Sequence, residues 1–405
     1  MVEFVQSVGI SILSFLVVLT LVVTVHELGH FWAAKACGVA IDRFSIGFGR
    51  AILSWKDKSG VEWRLGWIPL GGYVMFAGDT NTSSVPDEED LSSMRARVLR
   101  DEGVEAVSRY LHFKPVAQRA FVSVAGPLAN FVFSTVLFAI LLATLGQDVL
   151  PARIAAVNPN SPADRAGFRA GDLIVKADGR VVRGFEDVAE VAVLRVNLPT
   201  SFVVERQGRD VPITATSQLQ LREDGFGGKR WQGTFGITPA QARSDYVHLR
   251  YGPIEAIQKG AQQTAHTVST TLFYLGRMVT GQVAADQLSG PLGIAHLAGK
   301  VTKINTAGAT SFGDGLVAGS IGLLKLAAVL SVGVGFVNML PIPVLDGGHL
   351  LFYAYEAVAR RPVAAKVQAL GYRVGLALVL SLMLFATWND LQQLHVFKIL
   401  GGLFS

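Results

Sequence analysis

The chain has 405 residues, 50% of them hydrophobic and only 17% charged, with a net charge of +5. Soluble domains carry about 25% charged residues, so the deficit points toward a lipid bilayer, and the dispersed positive charge, with no basic stripe or interleaved aromatics, argues against nucleic acid as a partner. The single cysteine, Cys37, excludes an intrachain disulfide and a cysteine-rich zinc site, so any metal must be held by His, Asp or Glu.

In chain order, residues 4–25 carry no charge and are long enough to cross a hydrocarbon core of about 30 Å. The run is read as a membrane span and not a cleaved signal peptide, because Glu3 precedes it without any Lys or Arg and the run is too long. It leads directly into His26-Glu27-Leu28-Gly29-His30. Residues four apart share a helix face, so the two imidazoles can grip one zinc, with Glu27 beside them as general base. The alternative is a pair of satisfied surface histidines beside a glutamate. The setting disfavours it: Lys35 is the first charge after the motif, about 13 Å further along the helix axis from His26, and ionisable groups at membrane depth are costly and functional by default.

Residues 51–55 and 61–67 alternate apolar and polar around Asp57-Lys58-Ser59-Gly60, which predicts a β-hairpin, and residues 71–76, opening with Gly71, Gly72 and Tyr73, predict a third strand. An exposed edge there could pair with an unwound peptide; a plain structural hairpin is the alternative. The acidic run 87–90 reads as a solvated loop. A second uncharged run spans 120–147. Residues 152–238 then have soluble composition: a short helix follows Ser161, a strand follows Gly171-Asp172 and turns at Asp178-Gly179, and further strands are expected at 201–205 and 211–215. Residues 251–300 carry spaced apolar positions and Gly290-Pro291-Leu292-Gly293-Ile294; the lone His266 and His296 receive no metal.

The third apolar run, 326–345, contains Pro341 and Pro343, which break a helix, and such backbone is tolerated at membrane depth only inside protein or beside a water cavity. Asp346 follows at its mouth, either as a third metal ligand or as the cap of a helix starting near Gly348. His349 is a competing ligand, read as structural or as supporting a ligand from behind. The fourth run, 374–389, is short and opens beside Arg373. Lys35, Arg43, Arg50, Lys114 and Arg119 lie between spans one and two, and Arg360, Arg361 and Lys366 between spans three and four, which places both connections in the cytoplasm and both termini outside.

These residues resemble a known family. His26–His30 in the first span, Gly126-Pro127-Leu128-Ala129-Asn130-Phe131 in the second and the stretch from Asn338 to His349 in the third look like the three motifs of site-2 proteases, closest to the bacterial regulator-of-sigma-E protease branch. The resemblance implies His26, His30 and Asp346 as zinc ligands and Glu27 as catalytic base. It further implies that Asn130 supports the site by hydrogen bonding, where a polar helix–helix contact is the alternative, and that Asn338 contacts or unwinds substrate, where a satisfied helix-end amide is the alternative. Residues 161–179 look like the core of a bacterial PDZ domain, which binds extended peptide ends; only one such domain is found, whereas that branch often carries two.

The expected fold is a polytopic α-helical membrane protein of about four transmembrane helices, with a membrane-associated β-hairpin and an inserted extracytoplasmic PDZ domain of α+β class. Its segments are 1–35 (first span), 36–118 (cytoplasmic loop and hairpin), 119–147 (second span), 152–238 (PDZ), 239–312 (amphipathic membrane-surface segment), 313–347 (third span), 348–372 (cytoplasmic connection) and 373–405 (fourth span and tail). The expected activity is zinc-dependent hydrolysis of peptide bonds in or near transmembrane segments of single-pass proteins in the inner membrane. The substrates the resemblance implies are anti-sigma factors and remnant signal peptides. The partners are those substrates, peptide C-termini at the PDZ domain and the bilayer. A PDZ-bearing scaffold without catalysis is the alternative; the intact Glu27 argues against it. A metal transporter is a third reading, disfavoured because no inverted repeat of the ligands is visible.

Overall fold

A computed structural model describes residues 2–78, 88–223, 229–239, 246–280 and 289–393. Residue 87 of the loop expected at 87–90 lies outside them, as does the tail after residue 393, while residues 88–90 are the first turn of a helix and not a loop. The chain forms two compact units, one comprising Met1–Leu141 with Ile254–Ser405 and the other Leu142–Pro253.

The first unit opens with α1 (Val2–Ala36), which carries the apolar run and the histidine motif on one continuous helix. β1 (Ile41–Lys56) and β2 (Glu62–Phe76) follow. The expected turn at 57–60 is present: Asp57 accepts hydrogen bonds from the Ser59 hydroxyl at 2.7 Å and the Trp63 indole at 3.1 Å. The expected third strand is instead the second half of β2, and β1 begins ten residues earlier than the alternation suggested. Arg43–Ile46 pairs with Glu62–Leu65 on one side and with Gly72–Met75 on the other. The two strands fold over where a side chain would not fit. Gly47 has a φ of 82°, and a Cβ there would lie 2.7 Å from the Ile68 carbonyl oxygen. Phe31 of α1 packs against Phe44 and Trp63, with ring centroids 5.6 and 5.3 Å apart, and this fixes the sheet on the helix.

α2 (Glu88–Asp101), α3 (Val104–Val107) and α4 (Val116–Leu145) lead into the second unit. There β3 (Gln147–Val149) and β4 (Ile154–Val157) precede α5 (Pro162–Ala166), which Ser161 caps by accepting from the Asp164 N–H and which Gly167 ends at φ 87°. β5 (Leu173–Ala177), β6 (Arg180–Val181), α6 (Phe185–Leu194), β7 (Pro199–Arg206), β8 (Arg209–Thr216), β9 (Gln218–Glu223), β10 (Lys229–Thr234), β11 (Ile237–Pro239) and β12 (Val247–Leu249) complete it. A four-stranded sheet in the order β6-β5-β7-β8 buries Ile174, Phe202 and Val204 against Phe168, Val188 and Phe235. The unit extends beyond the expected limits of 152–238 at both ends, because β3 and β12 pair with each other.

The first unit resumes with α7 (Pro253–Val279), α8 (Pro291–Thr306), α9 (Phe312–Asn338), α10 (Asp346–Ala359) and α11 (Ala365–Gln393). Among the described residues, the expected surface segment at 239–312 thus holds β12 and two full helices, α7 and α8, and α8 is more than a surface element. Ala298 of α8 is buried with Val18 and Val22 of α1 and Ala327 of α9. The main-chain N–H groups of Gly290 and Gly293 donate to the Asp390 carboxylate of α11 at 3.0 and 2.8 Å. The third span also differs from expectation. α9 stops at Asn338, seven residues short, because Pro341 and Pro343 cannot continue it; the next helix begins at Asp346 and not near Gly348. α11 starts nine residues before the run at 374, with Lys366 and Arg373 inside it. Among the described residues, four helices are long and apolar enough to cross a membrane: Val8–Ala36, Val116–Leu145, Phe312–Asn338 and Lys366–Gln393.

In the second unit Asp172 is 1% exposed, and both its oxygens accept from Arg206 at 2.7 Å. Burial pushes the Asp172 carboxyl up, but the Arg206 bonds and the Arg169 N–H outweigh it, so the group sits below its ordinary value. A depressed value means that its stabilising effect is present above the unfolded value of about 3.9 and lost as pH falls below it. Intrinsic-rate-corrected hydrogen exchange across residues 142–253 should therefore quicken below about pH 4, and Asp172→Asn should flatten that acid limb. An acid limb just as steep in the variant would contradict the assignment.

Candidate metal centre

His26 and His30 stand one helical turn apart on α1, and their ring centroids are 4.8 Å apart. α4 lies directly against this face. A Cβ on Gly29 would lie 2.4 Å from the Ala125 carbonyl oxygen, so only glycine permits the approach. On α4, a Cβ on Gly126 would lie 2.3 Å from His30 Nε2; the missing side chain is the space that the imidazole fills. His30 Nδ1 is 2.8 Å from the Val122 carbonyl oxygen, which can only accept, so Nδ1 carries the proton and Nε2 presents a lone pair.

Asp346 reaches the same point from α10. Gly347 and Gly348 permit the turn, since a Cβ on either would lie 2.3 Å from the carbonyl oxygen of Leu340 or Ile342. The cap position of α10 belongs to Leu345, so the Asp346 side chain is not spent on capping. Its Oδ2 lies 3.1 Å from His26 Nε2 and 3.5 Å from His30 Nε2, and the two Nε2 atoms are 3.2 Å apart. Oδ2 is nevertheless a buried atom with no hydrogen-bond partner.

Asn130, completely buried on α4, approaches His26 Nδ1 to 3.2 Å through its amide nitrogen, while its Oδ1 has no partner. With the amide turned over, Oδ1 accepts from His26 Nδ1–H, which leaves that Nε2 bare as well. The Asn130 main chain is tied to α9, where the Ser331 hydroxyl donates to its carbonyl oxygen at 2.9 Å. Three lone-pair atoms thus face one another with no proton to share, which is repulsive unless a cation lies between them. Donors about 2.0–2.1 Å from a tetrahedral zinc are separated by about 3.3 Å, and the observed spacings fit that geometry. Among the described residues, His26, His30 and Asp346 are the group whose atoms can hold a metal.

The profile of peptidase family M50 matches residues 14–382, most of the chain. The chain belongs to peptidase family M50. Its similarity to relatives extends over their full length. Metalloprotease MmpA of Caulobacter vibrioides is 50% identical over 400 residues, covering 98% of this chain and 99% of that one. A protein of Agrobacterium fabrum named as a zinc metalloprotease is 38% identical, covering 95% and 96%. One of Mesorhizobium japonicum with the same designation is 40% identical, covering 94% and 98%.

The remaining expected site residues of this M50 chain are placed as follows. Glu27 is half-buried, and its carboxylate accepts from the Val74 main-chain N–H of β2. A Cβ on Gly72 would lie 3.4 Å from Glu27 Cγ, so this strand segment borders the site. Tyr73, next along the strand, turns the other way: its hydroxyl meets Arg43, and its ring stacks on Phe48 at 5.9 Å. Gly71, at φ 113°, makes the bend before them. Asn338 ends α9, half-buried and outside the ligand group. His349 is also outside it and hydrogen-bonds the Tyr372 hydroxyl of α11, as a structural role requires. Sequence reading did not single out Gly126, Val122, Val74 or Ser331. Gly126 was visible within its motif, but two of the other three act through the main chain, which no residue type announces.

Gly126→Ala removes no ligand and changes no charge, yet it pushes a methyl into the His30 ring. Zinc affinity measured by chelator competition should fall by roughly tenfold to a hundredfold. Unchanged affinity would mean that the ring is not held by this contact.

Proposed function

We propose that this chain is a zinc endopeptidase that cuts peptide bonds in or near the transmembrane segments of single-pass membrane proteins. The observation that carries the reading is the convergence of His26 Nε2, His30 Nε2 and Asp346 Oδ2 within 3.5 Å, with Glu27 on the same helix as both histidines. Zinc held by His26, His30 and Asp346 would supply a Lewis acid for activating water and polarising the scissile carbonyl. Glu27, oriented by the Val74 N–H, takes the proton of the attacking water and passes it to the leaving amine. Asn130 and the Val122 carbonyl keep both imidazoles in the tautomer that leaves Nε2 free.

A helical peptide bond is shielded, so substrate must be drawn out as a strand. The segment Gly71, Gly72 and Tyr73 borders Glu27 and supports pairing with such a strand, and the position of Asn338 at the broken end of α9 supports a role in contacting the unwound chain. Anti-sigma factors and remnant signal peptides are the substrate classes that the resemblance supplies. The four apolar helices and the flanking basic residues support a multi-pass protein of the inner membrane, with the site toward the cytoplasm and the second unit outside. That unit is read as a PDZ domain. A groove between α6 and β10–β11, lined by Phe185, Val188, Ala189, Gly233 and Phe235, supports the capture of a peptide C-terminus.

The test uses the detergent-purified chain and a model transmembrane substrate. Glu27→Gln should retain zinc and lose cleavage by about a thousandfold or more, while Ala189→Arg in the groove should retain cleavage and lose binding of an apolar C-terminal peptide. Cleavage that persists in Glu27→Gln would rule out the base, and peptide binding that persists in Ala189→Arg would rule out the groove.

A further inference from the structure

α4 presents one stripe to the metal centre. Arg119, Val122, Gly126 and Asn130 follow at intervals of three, four and four residues and so share a helix face. Three of them act directly on the histidines. The fourth, Arg119, lies at the start of the stripe and reaches α10. Its Nη2 donates to Glu356 Oε1 at 2.5 Å, and its guanidinium lies 5.0 Å from the centroid of the Tyr353 ring, one turn earlier on α10. Its Nε donates to the Lys114 carbonyl oxygen at 3.0 Å, which fixes the fork from behind. The ion pair is largely removed from water, with side-chain exposures of 16% and 20%.

α10 needs such a restraint. It enters through the non-helical turn after Asn338, and Asp346 is its first residue. Glu356 lies ten residues further on, about 15 Å along a stiff helix. Pinning Glu356 to α4 while the Gly347-Gly348 turn holds the other end fixes where the Asp346 carboxylate falls. We infer that Arg119 and Glu356 are positioning residues for the metal centre: their ion pair ties the helix bearing Asp346 to the helix that orients His26 and His30, and so sets the spacing of the three ligand atoms.

This inference rests on the ligand set proposed above, and the experiment separates the two. The full-length chain in detergent is loaded with zinc and mixed with excess chelator, and zinc release is timed. Arg119→Met and Glu356→Gln should each speed release by roughly tenfold, and the double variant should be no faster than the faster single, since either change breaks the same pair. Arg119→Lys, which keeps the charge and loses the fork, should fall between native and Arg119→Met. Asp346→Ala is the reference. If it retains zinc, the ligand set itself is wrong, and the inference falls with it. If it loses zinc while both single variants release at the native rate, the ion pair alone is refuted. Losses that multiply in the double variant also refute it, because they would mark two independent structural defects.

Discussion

The structure is organised around a local repulsion. Two imidazole nitrogens and a carboxylate oxygen face one another at 3.1–3.5 Å with every available proton committed elsewhere, and a cation relieves that arrangement. Nothing in α1 alone would hold it. Each histidine needs a partner on its far nitrogen, and both partners come from α4: the Val122 carbonyl and the Asn130 amide. The carboxylate needs a backbone turn that side chains would block, which accounts for the two glycines after Asp346.

The same requirement explains the small residues in the helix contacts. Gly29 meets the Ala125 carbonyl, Gly126 accommodates His30, and a Cβ on Gly335 would lie 3.1 Å from the Asn130 Cβ. In lipid, helices gain little from burying apolar side chains against each other, so close backbone approach and buried hydrogen bonds such as Ser331 to Asn130 carry the association. α8 adds a second point of closure away from the metal, where its N-terminal N–H groups are capped by Asp390 of α11. The sheet contributes on the third side by fixing Glu27 through a main-chain donor, which holds a base without introducing another titrating group.

Much of this was legible in the sequence. The spacing of His26 and His30 needs only helix geometry, the uncharged runs announce the long helices, and Pro341 and Pro343 locate the break before Asp346. Three features were not legible, each for a physical reason. The double pairing of Arg43–Ile46 depends on strand register, which alternation does not encode. The burial of α8 depends on which helix faces meet, and its composition also suits a membrane surface. Arg119 read simply as a cytoplasmic positive charge; its partner Glu356 lies 237 positions away, and only folding reveals the pair.

X-ray absorption at the zinc edge of the purified, zinc-loaded chain tests the central claim most directly. The arrangement predicts a first shell of two imidazole nitrogens with oxygen donors at about 2.0–2.1 Å. A shell containing three imidazoles, which would bring in His349, or one with no imidazole at all, would contradict it.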